Sequence, residues 1–245
     1  PSDLAGQCRK KVIKGLDASC NCLLAVGPQI MQLRELLYLW LDQNMIESIP
    51  SELTQLPQLQ LLDLSDNNIV IIDSNIGQLT TLKELFLSHN NLRELPKALV
   101  QLQGLELLYL EDNRLAEFPA IICEMLPLQT IDLSDNQCCT IPAKLQQLKA
   151  LNTLNIAQNE LHSIEVEWEM LPQLKTLDLS QNHLTSKALN ALNNASIQSL
   201  NVADNPLSNW PNELYLPQLK QMFLSKTGLF EWPDQQRHYS ALELL

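Results

Sequence analysis

Apolar and polar positions alternate along this chain in a pattern that returns every 23 residues. Ile13, Leu36, Leu59, Leu82, Leu105, Leu128, Leu151, Leu174 and Ile197 are each 23 positions apart, and Leu219 follows after 22. Behind each stands the order L-x-x-L-x-L-x-x-N-x-L, seen most cleanly at Leu82, Leu85, Leu87, Asn90, Leu92, Leu95, Pro96, Leu99 and Leu102. The x-L-x-L-x segment has period two, so it predicts a short strand with its leucines pointing inward. The asparagine column runs through Asn21, Asn44, Asn67, Asn90, Asn113, Asn136, Asn159, Asn182 and Asn205, with Thr227 closing it. An amide that recurs inside an apolar column needs a hydrogen-bond partner that recurs with it.

After each strand comes L-P-x-x-L-x-x-L, with Pro50, Pro96, Pro119, Pro142, Pro211 and Pro233 in one register. Proline has no N–H to give and suits the first turn of a helix, so this half predicts short 3₁₀ or α turns on the outer side. Asp73 and Glu165 stand where proline is usual. Ser186 to Leu192 is rich in Ala and Leu and predicts a genuine helical turn or two. One such unit cannot bury its own leucines, so stability has to come from stacking neighbours.

These residues resemble the leucine-rich-repeat family over about residues 13–233, as nine copies and a partial tenth. The 23-residue length with its proline resembles the intracellular type, such as Scribble-like, Ras-suppressor-like and bacterial effector members. The resemblance implies an α/β solenoid, a curved horseshoe with a parallel β-sheet on the concave face and short 3₁₀ or α turns on the convex face. It also implies inward asparagines bonded to backbone groups at the turn leaving each strand. An open stack exposes leucines at its ends, so covers are expected. Residues 1–12 suit an N-terminal capping helix, with Leu4, Cys8 and Val12 on one face. Residues 234–245 suit a C-terminal cover, or the boundary with further chain.

Composition narrows the function. Lys plus Arg total 16 against 28 Asp plus Glu, a net charge of -12, which argues against a nucleic-acid or anionic-membrane binder. No apolar run approaches the roughly 18 residues of a membrane span. The six cysteines fall at no metal-finger or redox spacing and read as reduced thiols, which points to the cytoplasm, or to a bacterial protein secreted into a host cytosol. No catalytic constellation, metal site or cofactor motif is found. His89, His162, His183 and His238 are scattered.

The non-leucine strand positions face the hollow of the arc. Most are small and polar. The N-terminal third departs from this with Tyr38, Trp40, Leu61, Phe86, Leu107 and Tyr109, expected to touch across adjacent strands. Exposed aromatic clusters mark interaction sites. Asp42, Asp63, Asp66, Glu84, Glu111, Asp112, Asp132 and Asp135 ring the cluster, with Arg93 and Arg114 as the few opposing charges. The reading is a non-enzymatic protein-recognition module whose partner carries basic residues near an apolar anchor. Three alternatives stand beside it. The cluster is ordinary cross-strand packing or is covered by other chain. The protein is a bacterial effector or the recognition arm of a larger protein such as a ubiquitin ligase. Or the cluster joins two copies as a homodimeric scaffold.

Overall fold

The computed structural model describes residues 12–210 and 214–231. The expected covers at residues 1–12 and 234–245 lie, apart from Val12, outside the described residues. Among the described residues twelve strands run in chain order: β1 Gly15–Asp17, β2 Tyr38–Trp40, β3 Leu61–Asp63, β4 Glu84–Phe86, β5 Leu107–Tyr109, β6 Thr130–Asp132, β7 Thr140–Ile141, β8 Thr153–Asn155, β9 Ser163–Ile164, β10 Thr176–Asp178, β11 Ser199–Asn201 and β12 Gln221–Phe223. Ten of them form one sheet in sequence order, while β7 and β9 pair separately. All pairs are parallel, and the repeat sets the register: Leu39, Leu62, Leu85 and Leu108 are successive partners. The chain is the curved parallel-sheet solenoid that the pattern predicts.

The central strand leucines are fully buried from Leu39 to Leu200, apart from Leu177 at 1%. Each contributes about 1.5–3 kcal/mol relative to an exposed position. Leu16 in β1 is only partly buried, because among the described residues it has a neighbouring repeat on one side.

The asparagine column does what its recurrence requires. Asn90 is 7% exposed and forms four bonds. Its Oδ1 accepts from the Ile69 N–H at 2.9 Å, and its Nδ2 donates to the carbonyls of Leu64, Leu87 and Ser88 at 2.9, 3.1 and 3.1 Å. Ile69 and Leu64 belong to the preceding repeat, so each amide clamps two repeats together. The column has one departure at its start. Asn21 is exposed, and among the described residues it donates to the carbonyls of Ala18 and Ser19 in its own repeat. At the other end Thr227 is buried and its hydroxyl donates to the Leu224 carbonyl at 2.9 Å.

The residue before each asparagine of the column, and before Thr227, is left-handed: Cys20, Gln43, Asp66, His89, Asp112, Asp135, Gln158, Gln181, Asp204 and Lys226 have φ between 47° and 56°. A side chain there costs about 1–2 kcal/mol of backbone energy. The return is that its N–H carries the ladder past the strand end, as His89 N–H does to the Glu111 carbonyl at 2.8 Å.

The convex side consists of 3₁₀ turns such as Ser74–Gln78, Lys97–Gln101, Ala120–Glu124 and Ala143–Gln147, with one α-helical turn among the described residues at Ser186–Leu189. Pro96, Pro119 and Pro142 occupy the cap position, one residue ahead of the first helical one expected from the sequence. Their carbonyls accept the first turn bond, as Pro96 does from Leu99 at 3.1 Å. Asp73 replaces proline at this position by a different device: its carboxylate accepts from the Asn75 N–H at 2.8 Å, a side-chain cap.

The five described cysteines are free thiols. Burial raises the Cys123 thiol to about 11 and Cys138 to about 12, so both behave as small core apolar groups.

Candidate functional site

The first and third residues of each strand point into the hollow of the arc. The third-residue row reads Asp17, Trp40, Asp63, Phe86, Tyr109, Asp132, Asn155, Asp178, Asn201 and Phe223 in direct register. Its two halves are built differently.

From Asp132 to Asn201 the row satisfies itself, before the exposed ring of Phe223 ends it. Asp132 Oδ1 accepts from the Ser134 N–H at 2.9 Å and Asp178 Oδ1 from Ser180 N–H at 2.9 Å. Asn155 and Asn201 accept in the same way from Ala157 and Ala203, each at 3.1 Å. The second carboxylate oxygens are taken too: Asn155 Nδ2 donates to Asp132 Oδ2, and Asn201 Nδ2 to Asp178 Oδ2, each at 2.9 Å. These are Asx turns joined into a ladder. The sequence carries their signal, an Asp or Asn followed two residues later by Ser or Ala.

In the N-terminal half three of the four positions from 40 to 109 are aromatic. Rings cannot cap a turn N–H, and they pack on one another instead. Tyr38 and Trp40 lie with centroids 6.1 Å apart at 28°, and Phe86 and Tyr109 stack at 4.9 Å and 10°. The expected continuous cluster is therefore two stacks, one on β2 and one across β4 and β5. Between them sits Asp63, the register partner of both Trp40 and Phe86. Leu61 and Leu107 fill the first-residue row below and are half-buried. Tyr38 is 39% exposed, so the rings have an open face.

The expected acidic rim separates into two kinds of group. Asp63 and Asp132 are turn formers as well as charges: each accepts from a serine N–H two residues on. Asp42 accepts from the Ser19 hydroxyl. Asp66, Asp112 and Asp135 occupy the left-handed column at the edge of the arc. Burial first, then the Ser65-opposed field of Asp42 and Asp66, holds Asp63 above the ordinary carboxylate range. Glu111 is raised by burial and by Asp132, and Tyr109 by burial, Asp132 and Glu84. Among the described residues no Lys or Arg side chain pairs with these carboxylates. The two ion pairs among the described residues are His89–Asp112 at 2.9 Å and Lys226–Asp204 at 3.2 Å. Donating to the Asp112 carboxylate raises His89. Arg93 and Arg114 are exposed and form no ion pair there.

Among the described residues no group of three His, Cys, Asp or Glu side chains is placed to hold a metal ion. No helix there is long and apolar enough to cross a membrane.

The pattern called leucine-rich repeat region matches residues 73–244, and the pattern called leucine rich repeat matches residues 13–69. This chain belongs to the leucine-rich-repeat family. Among solved structures it is similar to a leucine-rich-repeat protein of Leptospira interrogans, at 34% identity and a TM-score of 0.74, over 79% of this chain and 50% of that one. It is also similar to internalin C2 of Listeria monocytogenes, at 25% identity and a TM-score of 0.63, over 70% of this chain and 73% of that one. The chain thus spans half the length of the Leptospira protein. No curated protein matches it.

Proposed function

We propose that this leucine-rich-repeat chain is a protein-recognition module that holds a folded or extended partner on the N-terminal half of its concave face. The family and its relatives support a non-enzymatic interaction role. The observation that carries the finer reading is the contrast within one row. The C-terminal half closes its hydrogen bonds on itself, while the N-terminal half presents two open ring stacks among mutually repelling carboxylates. Tyr38, Trp40, Leu61, Phe86, Leu107 and Tyr109 supply the apolar anchor. Asp42, Asp63, Asp66, Glu84, Glu111, Asp112 and Asp132 favour a partner with Lys or Arg around that anchor, speeding encounter and setting register. The five described cysteines, all free thiols, and the 23-residue repeat with its proline support the intracellular type and a cytoplasmic setting.

The test is affinity capture with the wild-type chain and with the double variant Trp40→Ala, Tyr109→Ala. Rings near the centre of an interface commonly contribute about 2 kcal/mol or more each, so the double variant should lose the captured partner. Equal capture by both proteins rejects the reading.

A second reading has its own support. The relatives found are bacterial, and one is twice as long as the matched region. They favour a bacterial effector, or the recognition arm of a larger protein such as a ubiquitin ligase, with the same concave face as its reading surface. The full-length gene decides it by the presence or absence of additional domains. A homodimer formed through the ring stacks would show as a concentration-dependent mass in light scattering, abolished by the same double variant.

A further inference from the structure

Four positions of the repeat at 59–81 depart together from their columns. Val70 and Ile71 stand where the preceding repeat has Glu47 and Ser48 and the following one Arg93 and Glu94. Asp73 stands where those repeats have Pro50 and Pro96, and Gly77 where they have Thr54 and Val100. Gly77 lets the Ser74–Gln78 turn approach the following one, for a Cβ there would lie 2.8 Å from the Ala98 carbonyl oxygen. On the other side of the same turn, against the preceding repeat, a cleft of about 290 Å³ opens. That is below the range of about 300–1,000 Å³ usual for a small-molecule site and suits a single side chain. Ile49, Thr54 and Ile76 are buried and form its inner wall, while Ser48, Ser51, Asp73 and Asn75 are exposed and form its rim. None of these residues belongs to a concave strand. Ser48 pairs in parallel with Ile71, which is 65% exposed, and Val70 is 44% exposed, so bare apolar surface adjoins the rim.

The polar groups of this cleft are left with acceptor capacity. The Thr54 hydroxyl spends its proton on the Ser51 carbonyl at 2.7 Å, and the Ser51 hydroxyl its own on the Glu52 carboxylate at 3.2 Å. Asp73 Oδ1 accepts from the Asn75 N–H at 2.8 Å, and among the described residues Asp73 forms no ion pair. No Lys or Arg lines the cleft. We propose that it seats one lysine side chain of a partner protein, in a segment whose neighbouring apolar residue lies on Val70 and Ile71. The lysine lies along the cleft, with its stem over Ile49 and Ile76 and its ammonium at the rim beside Asp73. Lysine fits better than arginine on two counts. Forked pairing needs both carboxylate oxygens, and the Asn75 N–H already holds one of them. No aromatic ring lines the cleft for a guanidinium to stack on, whereas a compact ammonium needs only single acceptors. This flank surface is separate from the concave one and does not depend on it.

Two variants of Asp73 keep the turn. Asp73→Asn retains a side-chain oxygen for the Asn75 N–H and removes the charge. Asp73→Pro restores the residue of the column, and the φ of -67° at Asp73 matches the -70° of Pro96. The experiment is an NMR titration of the isotope-labelled chain with acetyl-lysyl-leucine amide, acetyl-arginyl-leucine amide and the uncharged acetyl-norleucyl-leucine amide, at matched ionic strength. Circular dichroism and urea unfolding confirm that each variant is folded. The backbone resonances of Thr54 and Asn75 should move saturably with the lysyl probe, which should bind more tightly than the arginyl one and about fivefold more tightly than the norleucyl one. Both Asp73 variants should lose that advantage over the norleucyl probe. No saturable response at Thr54 and Asn75 in the wild type, an arginyl probe that binds as well as the lysyl one, or an undiminished lysyl preference in the folded Asp73 variants each overturns the seat. The Trp40→Ala, Tyr109→Ala chain should respond at Thr54 and Asn75 as the wild type does. If the response disappears there, the probe was held by the concave face and the flank seat is wrong.

Discussion

The two halves of the concave face share one backbone and one register, yet they use the third strand position for opposite purposes. From Asp132 to Asn201 that position is spent on the fold: each side chain caps its own turn and reaches its neighbour. From Trp40 to Tyr109 it is mostly released from that duty. Trp40, Phe86 and Tyr109 have no acceptor to offer the turn, and the repeats holding them remain as well ordered as the rest, with Leu39, Leu85 and Leu108 fully buried. The difference teaches that the Asx ladder is dispensable to the solenoid. The leucine and asparagine columns hold the repeats together, so the face toward the hollow is free to vary.

That comparison makes ordered predictions. The largest effect should be the same in both halves. Asn113→Ala leaves the Leu92 N–H without its partner and removes one of the bonds at each of the Leu87, Leu110 and Glu111 carbonyls, and Asn182→Ala does the equivalent at the Leu161 N–H and the Ile156, Leu179 and Ser180 carbonyls. Each should cost about 2–4 kcal/mol in urea unfolding. A large disparity between them would mean that the two halves do not share a frame.

The next effect should differ between halves. Asp178→Ala removes the bonds to Ser180 and Asn201 and should cost about 1–2 kcal/mol without touching recognition. Trp40→Ala should cost about 1 kcal/mol or less in the same unfolding assay, while weakening partner capture. If Trp40→Ala is the more destabilising of the two, the comparison breaks.

Acid sharpens it further. Asp63 and Glu111 are raised in the folded chain, so the fold binds their protons more tightly than the unfolded chain does. Their contribution to stability is fully present below the unfolded values near 3.9 and 4.3, and is lost as pH rises through the raised folded values. The carboxylates facing them are Asp42, Asp66, Asp112, Asp132 and Asp135, with His89 the nearby cation. Lowering pH from neutral through that window should raise the urea midpoint relative to a chain carrying Asp63→Asn and Glu111→Gln, and should weaken capture of a basic partner. An unchanged pH profile in the double variant would show that these charges do not strain the fold. Smallest of all is His89→Ala. The exposed pair with Asp112 is stabilising below the unfolded histidine value and is lost as pH rises through the raised folded one. Its removal should change unfolding by less than about 0.5 kcal/mol at pH 6.

The solenoid was legible because its cause is periodic. A leucine that returns every 23 residues can be inward in only one register, and Leu39, Leu62 and Leu85 sit where that register puts them. The asparagine clamp followed from the cost of burying an amide. The convex turns were placed correctly, though Pro96 and its equivalents cap the turn rather than begin it. What the pattern did not reveal was local. Whether an Asp on the sheet is a free charge or a turn cap depends on the residue two positions on and on the neighbouring repeat, so Asp63 and Asp132 read as simple rim charges. The ring cluster was located, but its division at Asp63 depends on rotamers that neighbours choose, and hydrophobic spacing carries no record of them.

The central claim is that the N-terminal rings are left for a partner and not used by the fold. The most direct measurement is the unfolding free energy of the chain carrying both Trp40→Ala and Tyr109→Ala, with far-ultraviolet circular dichroism as a check on the native sheet. The account predicts a native spectrum and a loss of about 2 kcal/mol or less, within the range of partly exposed side chains. Collapse of the cooperative transition, or a loss as large as that of Asn113→Ala, would show that the rings belong to the core and contradict it.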